Sequence, residues 1–112
     1  MNDDFWDYLQ RLVDSSQIVI DRPKGSAHPH FPEQVYPLDY GYLDPTTSID
    51  GGGVDIWIGS QQSRNVVGIL CTADLLKRDT EVKILLGCTE HDIIQITNYL
   101  NSTKMRALYI KR

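Results

Sequence analysis

The chain has 112 residues and a net charge of −4, because 15 acidic side chains outnumber 11 basic ones. This length fits a single domain over residues 1–112 with its own apolar core, and 41% of the residues are hydrophobic. The acidic charge argues against nucleic acid as a partner, since binding to a phosphate backbone depends on clustered cations, and it suits divalent cations better.

The N-terminal segment is predicted to be an amphipathic helix that ends near Asp14, because its apolar residues recur at helical spacing. No basic stretch precedes an apolar run there, and no apolar stretch of the chain is long enough to span a bilayer. We therefore expect a cytoplasmic protein without membrane contact. The residues with helical spacing are Phe5, Trp6, Leu9, Leu12 and Val13.

Five later segments have the short apolar or alternating patterns that are typical of β-strands. A second helix is predicted to follow a capping sequence at residues 89–92 and to run to about Asn101. Short strands separated by turns, with a helix at each side, predict an α+β fold: a small antiparallel, OB-like β-barrel flanked by two helices. The predicted strands are residues 18–20, 54–58, 66–71, 81–86 and 105–110.

The histidines and cysteines do not predict a metal site. His28 and His30 lie in a proline-rich loop, where a turn-forming or solvent-exposed role is the ordinary explanation, so we assign them no metal role. Cys71 and Cys88 lie in apolar surroundings and lack CxxC spacing, which favours buried free thiols over a zinc site or a redox pair.

The sequence that points to chemistry is Tyr36-Pro-Leu-Asp-Tyr-Gly-Tyr42, followed by Asp50-Gly-Gly-Gly-Val-Asp55. It sets aromatic hydroxyls and carboxylates beside a glycine-rich turn. Upstream, Arg22 and Lys24 bracket a proline at the end of a strand, a rigid mounting for two cations that could meet phosphate oxygens. Alternation along 54–58 turns Asp55 away from the aliphatic face of its strand. Together these features predict a metal and phosphate site, although the glycine run alone is more often a hairpin turn.

These motifs resemble the soluble (family I) inorganic pyrophosphatases, whose core motifs are a YPxxYGY segment and a DxDxxD-type loop. The resemblance is clear over residues 18–59, moderate over 66–86 and weak in the C-terminal helix. It implies magnesium-dependent hydrolysis of pyrophosphate to phosphate, with Mg²⁺ as the cofactor and pyrophosphate or a related phosphate compound as the partner. It also implies self-association into homo-oligomers, since related barrels commonly associate.

The resemblance further implies roles for individual residues. Asp55 and Tyr40 would be catalytic, while Mg²⁺ would be held by Asp50, Asp55, Asp74 and Asp79. An alternative alignment, anchored at the start of the strand, replaces Asp79 with Glu81 and places Lys83 on the phosphate-facing lysine of the family; we favour Asp74 and Asp79. The residues implied in substrate binding are Arg22, Lys24, Tyr36, Tyr40, Lys83 and Tyr99.

Three positions depart from the pattern of the family. Gly52 stands where the middle Asp of the loop usually lies, Leu100 replaces a lysine after Tyr99, and Asp21 replaces a glutamate. The segment between residues 26 and 36 is also shorter than in full-length pyrophosphatases. These departures leave open an alternative function: a catalytically inactive pyrophosphatase-like module that binds a phosphate compound or a protein partner.

Overall fold

The computed structural model describes residues 3–112, which form two helices and six strands in a mixed order. The α+β class and the positions of both helices are confirmed, as are the bounds of the strand at residues 54–58. The elements are α1 (Asp3–Asp14), β1 (Gln17–Arg22), β2 (Asp39–Asp44), β3 (Val54–Ile58), β4 (Val66–Asp74), β5 (Asp79–Leu86), α2 (Glu90–Asn101) and β6 (Met105–Lys111).

The strands form one six-stranded sheet in the order β1-β2-β3-β5-β4-β6. Neighbouring strands are antiparallel except β3 and β5, which run parallel with Ile56 opposite Ile84. The sheet therefore differs from the expected antiparallel barrel in two respects: it is mixed, and within residues 3–112 it does not close, because β1 and β6 are its two edges. The parallel pair arises because β4 and β5 form a hairpin that docks on β3 through its second strand.

The sheet separates two layers of the core, and the alternation of β3 divides its side chains between them. Ile56 belongs to the layer under α1, and Trp57 belongs to the layer under α2, as the period of two in the sequence predicts. The α1 layer comprises Trp6, Val13, Leu43, Ile56, Val66, Ile69, Ile84 and Leu86. The α2 layer comprises Tyr36, Leu38, Trp57, Leu70, Leu85, Cys88, Ile93, Ile96 and Leu100.

The start of α2 is fixed by a capping box and a bond to a distant loop. The Thr89 side chain accepts a hydrogen bond from the Asp92 backbone N–H, and the Asp92 carboxylate accepts one from the Thr89 backbone N–H. The same carboxylate oxygen accepts hydrogen bonds from the Ser60 backbone N–H and hydroxyl at 2.8 and 2.9 Å. Helix α2, which packs on this layer of the core, is thus hydrogen-bonded to the segment that follows β3.

Gly41 is the residue that allows β2 to lie between β1 and β3. A Cβ at this position would fall 1.8 Å from the carbonyl oxygen of Val19, so only glycine fits. The glycine in the Tyr40-Gly-Tyr42 motif is therefore required by close packing of the backbone, whatever the tyrosines on either side of it do. No helix within residues 3–112 is both long and apolar enough to cross a membrane.

Candidate active site

A pocket of about 880 Å³ opens on the α2 face of the sheet. Its floor is formed by side chains of β2, β3 and β5, and its walls are formed by the 28–34 loop, the glycine-rich 50–52 turn, the β4–β5 turn and the end of α2. The pocket therefore lies where the YPLDYGY and DGGGVD motifs meet, as the sequence predicts for a single site.

Strand register brings a lysine, a carboxylate and a tyrosine together on this floor. Tyr40 is paired with Trp57 across β2 and β3, while Asp55 and Lys83 each directly precede the paired isoleucines of the parallel β3–β5 ladder. The Lys83 Nζ donates hydrogen bonds to the Asp55 Oδ2 at 2.9 Å and to the Tyr40 Oη at 2.8 Å. Glu81 Oε1 lies 3.5 Å from the same ammonium.

This lysine cluster, comprising Lys83, Asp55, Tyr40 and Glu81, is nearly removed from water. The side chain of Lys83 is 5% exposed, and those of Asp55 and Glu81 are 22% and 12% exposed. A buried ammonium is costly unless it is paired and hydrogen-bonded, and here two carboxylates and a phenol meet that demand. One ammonium and two carboxylates leave the cluster with a net negative charge, and its carboxylates are still reachable from the pocket.

Tyr40 keeps its proton at neutral pH. Burial raises the pKa of the Tyr40 hydroxyl well above its usual value of 10.0, and the nearby charge and hydrogen bond of Asp55 raise it further. The phenol therefore remains a hydrogen-bond donor directed towards Asp55, while its oxygen accepts from Lys83.

Asp50 and Asp74 also line the pocket, but each already caps a turn. The Asp50 Oδ1 accepts from the Ser48 hydroxyl at 2.5 Å and from the Gly52 backbone N–H at 2.9 Å. These two hydrogen bonds, that from Ser48 first, lower the pKa of Asp50. The Asp74 Oδ1 accepts from the backbone N–H groups at positions 76 and 77. Both carboxylates are thus held in fixed orientations at the rim.

Asp79 and Glu81, the two alternative metal ligands on β5, lie in different surroundings. Glu81 lines the pocket and contacts Lys83. Asp79 lies at the start of β5 opposite Asp74, and its Oδ2 is 3.8 Å from the Lys77 Nζ. Among residues 3–112, Asp79 is not one of those that line the pocket. Position along β5 therefore places Glu81, and not Asp79, beside the lysine cluster.

Of the residues implied in substrate binding, all but Lys24 line the pocket. Arg22, Tyr36 and Tyr99 line the pocket together with Tyr40 and Lys83. Lys24 does not line it: this exposed residue contributes its backbone N–H, which donates to the Asp39 carboxylate at 2.8 Å. Burial, followed by the neighbouring Tyr36, raises the pKa of the Tyr99 hydroxyl, so this phenol also stays protonated.

The structure adds pocket residues that were not predicted as site residues. His28, His30 and Phe31 line the pocket because a bridge between Ala27 and Val35 folds the intervening loop over it. Trp57 also lines it, and the alternation of β3 was sufficient to place this side chain on the same face as Asp55. The loop of residues 28–34, called the histidine loop below, has no periodic pattern from which its position could be predicted.

Solved structures of three bacterial enzymes are similar to this chain, although no protein-family model and no curated protein sequence matches it. An inorganic pyrophosphatase from Neisseria gonorrhoeae superposes with a TM-score of 0.70 and 16% identity, over 88% of this chain and 84% of that one. An inorganic pyrophosphatase from Coxiella burnetii gives a TM-score of 0.60 and 13% identity, over 84% and 82% of the two chains. One from Helicobacter pylori gives 0.59 and 17%, over 86% and 82%.

The chain has an inorganic pyrophosphatase-like fold. The resemblance that the two motifs suggested is thereby confirmed for the fold. Within that pyrophosphatase-like fold, the lysine cluster occupies the face that carries both motifs.

The pocket has the oxygen donors that magnesium prefers. Within residues 3–112, no three His, Cys, Asp or Glu side chains are grouped closely enough to form a ready-made metal site. Carboxylates of Asp50, Asp55, Asp74 and Glu81 nevertheless line the pocket. Magnesium usually keeps several waters and is held by one or two carboxylates together with substrate phosphates. The chemistry of these carboxylates therefore fits Mg²⁺ that is also bound by phosphate oxygens, and not Mg²⁺ in an all-protein cage.

Proposed function

We propose that this protein hydrolyses a phosphoanhydride bond, with pyrophosphate as the substrate and Mg²⁺ as the cofactor. The observation that carries the proposal is the lysine cluster, in which Lys83 holds Asp55 and Tyr40 on the floor of a pocket in a pyrophosphatase-like fold. A fixed cation, a carboxylate and a neutral phenol within one pocket match the needs of phosphoryl transfer, which relies on positioning and on neutralisation of charge.

Lys83 and Arg22 would attract the phosphate oxygens, and the Tyr40 hydroxyl would turn from Asp55 to donate its one hydrogen bond to a phosphate oxygen. Asp55, Glu81 and the rim carboxylates Asp50 and Asp74 would hold Mg²⁺, with Glu81 in place of Asp79 because only Glu81 lines the pocket. When bound, this cation neutralises phosphate charge and activates water. Asp79 then has a structural role at the β4–β5 turn.

In the proposed reaction, the oxygen of a water molecule forms a bond to one phosphorus while the bond from that phosphorus to the bridging oxygen breaks. The leaving phosphate keeps the electron pair of the broken bond. Because position 52 has no base, a phosphate oxygen of the substrate accepts the proton that the water loses, and Tyr40 and Lys83 donate hydrogen bonds to the oxygens on which negative charge increases. Two phosphate ions are the products.

The expected rate is low because the pocket has no carboxylate at position 52. Gly52 lines the pocket, yet it cannot orient or deprotonate water. General-base catalysis typically contributes about 10²- to 10⁴-fold in rate, so a loss of this order relative to a complete loop is expected.

The test is magnesium-dependent release of phosphate from pyrophosphate at high protein concentration. We expect Asp55→Asn, which keeps the shape of the side chain but removes its charge, to lower the rate at least about 100-fold. Asp7→Asn, on the exposed face of α1, is the matched control and should behave as wild type, since the ion pair of Asp7 with Arg11 lies at the surface, away from the pocket. Equal release by wild type and Asp55→Asn would refute hydrolysis by this pocket.

A second candidate function is binding of a phosphate compound without turnover. The glycine at position 52 favours it, as does the engagement of the Lys83 ammonium by two carboxylates. Calorimetry that detects binding of pyrophosphate, with no phosphate released over hours, would support this function. We also propose a cytoplasmic location and self-association; light scattering on a size-exclusion column measures the latter.

A further inference from the structure

The pocket is larger and more aromatic than an inorganic phosphate site requires. Its volume of about 880 Å³ lies near the top of the about 300–1,000 Å³ range that is typical of pockets for drug-sized ligands. The lysine cluster occupies only its floor. Pyrophosphate, which has no apolar part, would therefore leave the aromatic side of the pocket without a ligand contact.

Aromatic rings lead from the mouth of this pocket to the lysine cluster. The Phe31 and His28 ring centroids are 5.2 Å apart, and the His28 ring is nearly parallel to that of Tyr36, at 6.2 Å and an interplanar angle of 5°. Tyr36 is in turn 5.7 Å from Tyr40, whose hydroxyl accepts from Lys83. The rings and the ammonium therefore form one continuous surface with an apolar end and a charged end.

The outer rings of this surface are available to a ligand. Phe31 is 43% exposed although it is a large apolar side chain, and His28 is partly exposed. Burial, followed by the nearby Arg22, lowers the pKa of His28, so its neutral form is favoured and its face suits stacking with an uncharged ring. The inner rings of Tyr36 and Trp57 are buried and support the outer pair.

Trp57 adds an unmet polar group to the same wall. Its Nε1 is buried and has no hydrogen-bond partner within residues 3–112, whereas buried donors are normally satisfied. Trp57 is 0% exposed, so its ring supports the wall from behind, while the wall offers a ligand ring stacking and, at its far end, cations for phosphate.

We propose that the substrate class of this pocket is a nucleoside polyphosphate, with the base stacked on Phe31 and His28 and the phosphates at Lys83. The proposal rests on the phosphoanhydride hydrolysis proposed above for the phosphate end, and it adds the group that occupies the aromatic end. The bond broken and the fate of the water proton are unchanged; the products are a shorter nucleotide and a phosphate or pyrophosphate ion.

The test compares ligands that differ only by the nucleoside. Calorimetry with Mg²⁺ would measure the affinities of ATP and of inorganic tripolyphosphate for wild type, Phe31→Ala and Phe5→Ala. Phe5 is a matched control, since it lies on α1 and is 44% exposed. Base–aromatic stacking corresponds to about 5- to 150-fold in affinity. We expect ATP to bind at least about tenfold more tightly than tripolyphosphate, and we expect Phe31→Ala to remove most of that preference while Phe5→Ala leaves it intact.

The outcomes separate this inference from the proposed hydrolysis. Equal affinities for ATP and tripolyphosphate, or an equal loss of both in Phe31→Ala, would overturn the nucleotide assignment even if pyrophosphate is hydrolysed. A preference for ATP that depends on Phe31 would support the assignment even if no phosphate is released from any of the compounds. His28→Ala provides a second variant on the same exposed loop and should reduce the preference in the same direction.

Discussion

Replacement of Lys83 by methionine tests whether the lysine cluster stabilises the fold as well as the site. Methionine retains most of the apolar stem but removes the ammonium, which lies 2.8–3.5 Å from Tyr40, Asp55 and Glu81. Two carboxylates that are mostly buried would then face each other without a cation. We therefore expect the free energy of unfolding to fall, because an uncompensated buried charge is costly.

The magnitude follows from the exposure of the groups. Loss of one partner from a buried ion pair typically costs about 3–5 kcal/mol. The partner side chains of Lys83 retain 22% and 12% exposure, so water can relieve part of the penalty and the lower end, about 3 kcal/mol, applies. For a domain of this size, that loss corresponds to a fall in Tm of about 12 °C.

Urea unfolding at pH 7, supported by thermal melts, measures this change. Lys77→Met is the control: the Lys77 side chain is 55% exposed and its pair with Asp79 spans 3.8 Å, so its loss should cost less than about 0.5 kcal/mol. Adding Asp55→Asn to Lys83→Met should recover part of the loss, since one unpaired charge is removed. Wild-type stability of Lys83→Met would refute the argument that this ammonium stabilises the two largely buried carboxylates.

Three further predictions concern single residues. Gly52→Asp should raise magnesium-dependent phosphate release by up to about 10²- to 10⁴-fold, because the atom nearest to its Cβ would be an Asp50 carboxylate oxygen, at 3.3 Å, and position 52 lines the pocket. Asp92→Asn should destabilise the protein at pH 7 by about 1–2 kcal/mol. Burial acts to raise the pKa of Asp92, but hydrogen bonds outweigh it and hold the pKa below 3.8, so this stabilisation is present above pH 3.8 and is lost as the pH falls through the folded-state pKa. Burial raises the pKa of the Cys88 thiol to about 12, so in a Cys71→Ser background a thiol reagent at pH 8 should label Cys88 only after unfolding.

Each of these predictions has its own control. Gly52→Asn adds the same volume without a carboxylate, and a gain equal to that of Gly52→Asp would exclude a general-base effect. For Asp92→Asn, urea unfolding at pH 7 and pH 3 gives the free energy of unfolding relative to wild type. An equally large loss of stability at pH 3 would contradict stabilisation by the ionised Asp92 carboxylate. Rapid labelling of native Cys88 would show that its surroundings open readily.

Local sequence patterns were sufficient to predict both helices and to assign the side chains of β3 to its two faces. Helical spacing predicted α1 to Asp14, the capping sequence predicted α2 to Asn101, and alternation separated Asp55 from its aliphatic neighbours. Each of these features is determined by residues within a few positions of one another. β2 was not predicted as a separate strand, because its alternation is carried by tyrosines and interrupted by Gly41.

Pairing between distant segments could not be predicted from the same patterns. The parallel contact of β3 with β5, which brings Lys83 to Asp55, depends on how the β4–β5 hairpin docks on the sheet. The order of residues along β5 likewise decides that Glu81 lies beside Lys83, with Asp79 at the outer end of the strand. The histidine loop was missed because turn chemistry and one isolated bridge position it, and neither produces a periodic pattern.

The parallel β3–β5 pair also sets the order in which the site can form during folding. Asp55 and Lys83 are 28 positions apart, and parallel neighbours cannot be joined by a tight turn, so the chain between them has to cross over, here through β4. The β2–β3 and β4–β5 hairpins involve nearer contacts and pay a smaller loop-closure cost. A chain that has formed both hairpins but has not yet joined them contains every residue of the lysine cluster without its geometry. Recovery of ligand binding on refolding therefore reports the joining of β3 to β5.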